Sequence, residues 1–168
     1  MKKTILSLIS IITISTSLSA MDDIYVGSGV AIQDAKNLDA GLALVVNAGM
    51  PLNNVDIKVG KLGVEGELTQ SILGLSPNRG GSDIYFTTVG GYATYTYDIN
   101  NQFYAKGRAG IVYYNPSKSY VDDGIDPSVS AGVGYKYNHD LSIYTEITKT
   151  DELTNLAVGV SYKLRGLN

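Results

Sequence analysis

At 168 residues, with 44% hydrophobic side chains and a mean hydropathy of +0.04, the chain has the length of one domain and suits either a soluble protein or a membrane β-barrel. Thirteen Lys and Arg against sixteen Asp and Glu give a net charge of −3, which excludes a general attraction to nucleic acid or anionic lipid. The absence of cysteine excludes a disulfide framework, a thiolate zinc site and a lipidated cysteine. Thirteen tyrosines beside two phenylalanines and no tryptophan, with 19 glycines and only four prolines, suit closely packed strands better than helices.

Lys2 and Lys3 precede an apolar run from Ile5 to Ile14, and small and hydroxyl residues then lead to Ser17-Leu18-Ser19-Ala20. This order reads as a Sec-type signal peptide over 1–20, leaving 21–168 as the mature domain, with cleavage after Ser19 or Ala20. Its apolar core is about ten residues, short for a transmembrane helix, and no later uninterrupted apolar run is longer. Loss of Lys2 and Lys3 takes the net charge to −5. An envelope location is expected.

Eight segments alternate with a period of two, which puts successive side chains on opposite faces of a strand. The first, Ile24 to Gln33, sets Val26, Val30 and Ile32 against Tyr25, Gly27, Gly29 and Ala31, with both faces weakly defined. In the second, Leu38, Ala40, Leu42, Leu44, Val46, Ala48, Met50 and Leu52 share one parity, and Pro51 to Asn54 follows as a turn. The third, Gly60 to Ile72, opposes Leu62, Val64 and Leu68 to Lys61, Glu65, Glu67 and Thr69. Leu73 to Gly81 is a loop, and Ile84 to Tyr97 is a fourth strand of ambiguous facing.

After the turn Asp98 to Asn101, the fifth strand opposes Phe103, Ala105, Ala109, Ile111 and Tyr113 to Tyr104, Lys106, Arg108 and Gly110. A second loop, Asn115 to Gly124, leads to Ile125, Val129, Ala131, Val133, Tyr135 and Tyr137 opposite Asp126, Ser128, Ser130, Gly132, Gly134 and Lys136. Asn138-His139-Asp140 is a tight turn. The seventh strand sets Leu141, Ile143 and Ile147 against Ser142, Tyr144, Glu146 and Thr148. In the eighth, Thr154, Leu156, Val158, Val160, Tyr162 and Leu164 face away from Asn155, Ala157, Gly159, Ser161 and Lys163. Its eleven residues match the ~9–11 that a tilted strand needs to cross a bilayer.

Eight strands joined by short turns and two longer loops predict an all-β fold, an eight-stranded antiparallel up-and-down transmembrane barrel. A soluble lipocalin-like barrel would turn its apolar face inward around a ligand. The polar face argues against this, because it holds a few long charged residues amid Gly, Ala and Ser, a set that fills a narrow interior. With the apolar face outward, Tyr97, Tyr113, Tyr135, Tyr137 and Tyr162 fall near strand ends as interfacial aromatics. Glu65, Glu67, Lys106, Arg108 and Glu146 then point into the lumen as a charge network, since confined charges should be paired. They read as a salt-bridged plug or, alternatively, as the lining of a narrow ion path; an eight-stranded barrel is only just wide enough to be filled by its own side chains.

The signal peptide, the eight alternating strands, the run Ala131-Gly132-Val133-Gly134-Tyr135 and the last strand together resemble the small OmpA/OmpX-like outer-membrane β-barrel family, from about Tyr25 to Leu164. The resemblance implies periplasmic termini and short turns, with Leu73 to Gly81 and Asn115 to Gly124 outside. It also implies an insertion signal for the barrel-assembly machinery in Gly159, Tyr162 and Leu164, although Arg165-Gly166-Leu167-Asn168 stands where members commonly end on an aromatic residue. Partners are therefore outer-membrane lipid and that machinery, with a monomer expected. The role expected is structural or surface interaction.

Some barrels of this size modify lipid A with a Ser-His-acid arrangement, but the only histidine here, His139, lies in a turn at the expected periplasmic end. Gly27-Ser28-Gly29 lacks the strand-to-helix context of a phosphate loop. Asp122-Asp123-Gly124-Ile125-Asp126 offers hard oxygen ligands without EF-hand spacing and reads as a solvated acidic loop. No catalytic residue, metal site or cofactor is called for.

Overall fold

A computed structural model describes residues 24–35, 38–52, 57–77, 82–117 and 123–164. The expected signal peptide, parts of the two longer loops and the last four residues lie outside these. Eight strands follow in chain order: β1 (Tyr25–Ala35), β2 (Gly41–Pro51), β3 (Lys61–Leu73), β4 (Phe86–Asp98), β5 (Phe103–Pro116), β6 (Gly124–Lys136), β7 (Leu141–Lys149) and β8 (Leu153–Lys163). Each pairs antiparallel with its neighbours in sequence, and β1 closes on β8 to form a barrel. The closing ladder runs without interruption from Tyr25 opposite Lys163 to Ala35 opposite Leu153. Closure removes the sheet edges, which is what lets strands stand in a hydrocarbon layer that offers their N–H and C=O groups no other partner.

Alternation then fixes what each face carries. Val30, Leu44, Val89, Ile111, Val129, Val133, Ile143, Ile147, Val158 and Val160 all point outward and are exposed. The inward positions of β3 are Gly63, Glu65, Glu67, Thr69 and Ser71. The facing of β4, ambiguous in sequence, resolves with Phe86, Thr88, Tyr92 and Thr94 inward and Val89, Tyr95 and Tyr97 outward. Threonine and tyrosine occupy both of its parities, so hydropathy alone had nothing to alternate. Of the tyrosines expected at the interfaces, Tyr97, Tyr113, Tyr137 and Tyr162 are exposed, while Tyr135 is half-buried against the Phe103 ring, 5.2 Å between centroids.

Three local expectations are corrected. Leu38, which shares the parity of the outward residues of β2, stands before the strand begins, bridges to Pro77 and packs against an inner apolar cluster. Ile84 lies outside β4 and bridges to Leu75, so the β3–β4 connection is pinched at its base, with Leu75 and Ile84 buried in the barrel mouth. Between β2 and β3 the chain runs from Leu52 to Gly60, a longer link than the expected four-residue turn. Within it Gly60 has φ of 79°, a backbone state that L side chains rarely adopt, and the Tyr95 ring lies where a Cβ would project.

Val158 is 53% exposed near the middle of β8. In lipid, Val158→Arg is expected to lower refolding stability by about 2–4 kcal/mol, the penalty of a cation at mid-bilayer depth. A neutral outcome in a urea refolding titration would reverse the assignment of the two faces.

Candidate functional site

The register of the ladders places the lumenal charges in rows. Arg108 on β5 stands opposite Ser130 on β6, which stands opposite Thr148 on β7. Its guanidinium follows that row, donating from Nε to Ser130 Oγ at 2.7 Å and from Nη2 to Thr148 Oγ1 at 3.0 Å. Lys106, Gly132 and Glu146 form the next row, and Tyr25, Gly49 and Glu65 another across β1, β2 and β3. Glycine sits in the middle of both. A Cβ at Gly132 would come within 3.0 Å of the Glu146 Cβ and Cγ, and one at Gly49 within 2.6 Å of the Tyr25 ring. Without side chains there, partners two strands apart, roughly 10 Å by strand spacing, reach over the gap.

All five residues expected in the network meet at this point. Arg108 Nη1 binds Glu65 Oε1 and, at 2.7 Å, Glu67 Oε2, while Nη2 binds Glu146 Oε1. Lys106 Nζ reaches Glu65 Oε2 at 2.6 Å, with Glu146 Oε2 at 3.9 Å. Tyr25 donates its hydroxyl to Glu65 at 2.5 Å, and the Tyr92 ring lies 4.2 Å under the guanidinium. The Arg108 and Glu65 side chains have no solvent-accessible surface. Sequence reasoning missed Tyr25, Tyr92, Ser130 and Thr148. Their only signal is inward parity, and their roles emerge once the register is known.

Above this cluster, toward the β3–β4 and β7–β8 connections, the interior changes character. Leu75, Ile84, Phe86 and Leu153 are buried together, with Ala35 and Leu38 against them, and they cap the barrel with apolar side chains. Between cap and cluster lies a polar layer that includes Gln33, Ser71 and Asn155. Ser71 donates to Gln33 Oε1 at 2.6 Å and accepts from the Phe86 N–H at 2.8 Å.

Below the cluster the lumen opens toward the chain termini into a cavity of about 650 Å³, reached by Lys61, Lys106, Lys136, Lys163, Asp98 and Asp140. The side chains thus fill the barrel from the cluster outward and leave this end hollow. His139 lines its rim, at the opposite end of the barrel from the apolar cap. Among the described residues no group of three or more His, Asp or Glu could hold a metal ion. The residues of the expected insertion signal divide between faces: Gly159 points inward beneath the Tyr144 ring, whereas Tyr162 and Leu164 are outward and exposed.

A family model described as the outer membrane protein beta-barrel domain matches residues 4–163. The chain belongs to that family and is an integral β-barrel of the bacterial outer membrane, its lumen filled at mid-depth by salt bridges. Among solved structures it is similar to the outer membrane protein OprG from Pseudomonas aeruginosa, with 14% identity and a TM-score of 0.64 over 86% of this chain and 96% of that one. Ail, the attachment invasion locus protein of Yersinia pestis, solved with the heparin analogue sucrose octasulfate, gives 18%, 0.58, 86% and 100%. The outer membrane enzyme PagL gives 12%, 0.54, 83% and 97%. At these identities the likeness is one of fold, and the fold carries unlike functions. No curated protein sequence matches.

Removing one member of a buried ion cluster leaves uncompensated charge, a loss of about 3–5 kcal/mol, whereas neutralising partners together is milder. Arg108→Met is therefore expected to lower the urea midpoint sharply, with part of the loss recovered on adding Glu65→Gln or Glu67→Gln. Coupling below about 0.5 kcal/mol in both double-mutant cycles would make the charges independent. Gly132→Val should also destabilise, by about 1–3 kcal/mol, as overpacking does, because it obstructs the reach of Glu146.

Proposed function

We propose that this protein is a non-enzymatic, non-conducting barrel, exported through Sec and seated by the barrel-assembly machinery as a monomer, whose role is structural or one of surface interaction. The observation that carries this reading is the double closure of the lumen: the Arg108-centred cluster at mid-depth and the apolar cap of Leu75, Ile84, Phe86 and Leu153 beyond it. An ion crossing the barrel would have to displace both. Gly159, Tyr162 and Leu164 are the residues of the last strand proposed for the insertion step, its outward aromatic and aliphatic side chains being open to a partner.

Catalysis finds little support. A Ser-His-acid site needs a base within hydrogen-bond reach of its nucleophile, and His139 stands at the end of the barrel away from the cap. The cap end has its own electrostatic signature. Among the described residues, Asp34, Asp39, Asp83, Asp123, Asp126, Asp151 and Glu152 lie there against Lys149. Over the whole sequence of these connections, eight Asp and Glu stand against Lys36, Arg79, Lys118 and Lys149, an acidic balance that disfavours a ligand such as the sucrose octasulfate bound by Ail.

The hollow terminal half of the lumen favours a narrow channel as the second reading. Planar-bilayer recording separates the two. The purified barrel should show no unitary conductance, and steps that respond to Arg108→Met in an otherwise folded protein would establish the channel. An epitope tag inserted after Gly80 should be detected on intact cells, since exposed loop tips tolerate insertion. Detection only after permeabilisation would invert the barrel.

A further inference from the structure

The layer between the ion cluster and the apolar cap holds two polar groups that neither closure uses. Gln33 on β1 and Asn155 on β8 stand opposite each other across the seam that closes the barrel, and both point inward, 0% and 8% exposed. Gln33 Nε2 and Asn155 Oδ1 are buried and have no hydrogen-bond partner. Buried polar atoms are nearly always paired, because their desolvation is otherwise uncompensated.

The neighbouring side chains are already committed. Ser71 Oγ accepts the Phe86 N–H at 2.8 Å, so its proton goes to Gln33 Oε1 at 2.6 Å and fixes that amide with Nε2 turned away from Ser71. Thr148, opposite Asn155 on β7, accepts from Arg108 Nη2 at 3.0 Å and donates to Glu146 Oε1 at 3.4 Å. Thr150 commits its hydroxyl to the backbone of Leu153, donating to the carbonyl at 3.2 Å and accepting from the N–H at 2.9 Å. What remains is an amide donor and a carbonyl acceptor at paired positions, with the Arg108-centred cluster on one side and Leu75, Ile84, Phe86 and Leu153 on the other.

We propose that a water molecule is bound between Gln33 and Asn155, accepting from Nε2 and donating to Oδ1, and is held inside the lumen by the two closures. The pair of partners selects this ligand. A cation would face the Gln33 N–H groups, an anion would face the Asn155 carbonyl, and an apolar group would leave both unsatisfied. Water donates and accepts at once, and in buried sites it commonly serves polar groups that the chain leaves unpaired. The bridge joins the first strand to the last. Because the site rests on the double closure of the lumen, the lifetime of its water reports how tightly the barrel is shut.

The test records water-selective NOE and ROE spectra of the refolded, isotope-labelled mature barrel in detergent micelles, read at the side-chain amides. Water cross-peaks are expected at the Gln33 and Asn155 amides with opposite sign in the two spectra, the mark of a molecule held longer than surface hydration. The exposed amides of Asn101 and Gln102 at the terminal end are the control and should show like signs. Asn155→Leu, of similar volume and without the acceptor, should remove the long-lived peak at Gln33. The parent spectrum alone decides if that variant does not refold.

No water peak at either buried amide overturns the site, as does a long-lived peak at Gln33 that survives Asn155→Leu. Like signs at both buried amides would mean free exchange with solvent and would equally overturn a sealed site. Planar-bilayer conductance of the same preparation reports the closure separately. A silent barrel without the water signal loses the site alone, and a conducting one loses the reading beneath it.

Discussion

A guanidinium buried in the middle of a membrane barrel must be neutralised from the surrounding walls, and the interior of this protein is arranged around that requirement. Arg108 takes carboxylates from β3 and β7, two strands away on either side, and hydroxyls from β6 and β7 along its own row. Three carboxylates share two cations, Arg108 contacting all three and Lys106 adding a second contact to Glu65, so every carboxylate touches a cation. Leaving one of these ions uncompensated would cost about 3–5 kcal/mol, a large share of a domain's ~5–15 kcal/mol of stability. What makes the reach possible is the placing of glycine. Gly49 and Gly132 stand between residues that must meet, and Gly134 and Gly159 receive tyrosine rings from the adjacent strand. Glycine and the inward Tyr25, Tyr92, Tyr104 and Tyr144 thus build the interior, while Tyr97, Tyr113, Tyr137 and Tyr162 are exposed on the outer face, where the sequence placed its interfacial rings.

Much of the fold was legible because a bilayer imposes a two-residue period and gives it a sign. Val158 and Val160 opposite Ala157 and Gly159, or Ile143 and Ile147 opposite Glu146, read directly as lipid-facing and lumen-facing. Parity likewise gathered Glu65, Glu67, Lys106, Arg108 and Glu146 to one interior, and their meeting followed from the narrowness of eight strands. Parity fails where it has no contrast, as in β4, and where the backbone leaves the sheet. Leu38, Leu75 and Ile84 stand in connections, so alternation says nothing of them, and the cap they form with Phe86 and Leu153 depends on a chain reversal whose bridges join residues far apart in sequence. Register was the other missing quantity. A tyrosine two strands from a glutamate is unremarkable until the intervening residue is known to be glycine.

The two ends of the barrel differ in chemistry. One is closed by aliphatic and aromatic side chains beneath an acidic rim, and the other is hollow and lined by lysines. This polarity sets a closed side against an accessible one. Likeness of fold leaves function undecided, because OprG, Ail and PagL share the frame and function lies in the sites a fold carries.

The solvent exchange of the Arg108 guanidinium protons, followed by NMR in lipid nanodiscs, tests the central claim most directly. A side chain held by Glu65, Glu67, Glu146, Ser130 and Thr148 out of contact with water should show discrete, slowly exchanging Nε and Nη resonances with contacts to those partners. A single rapidly exchanging signal, like that of a solvated arginine, would mean that the lumen is open to water at mid-depth and that the barrel is not organised around this ion cluster.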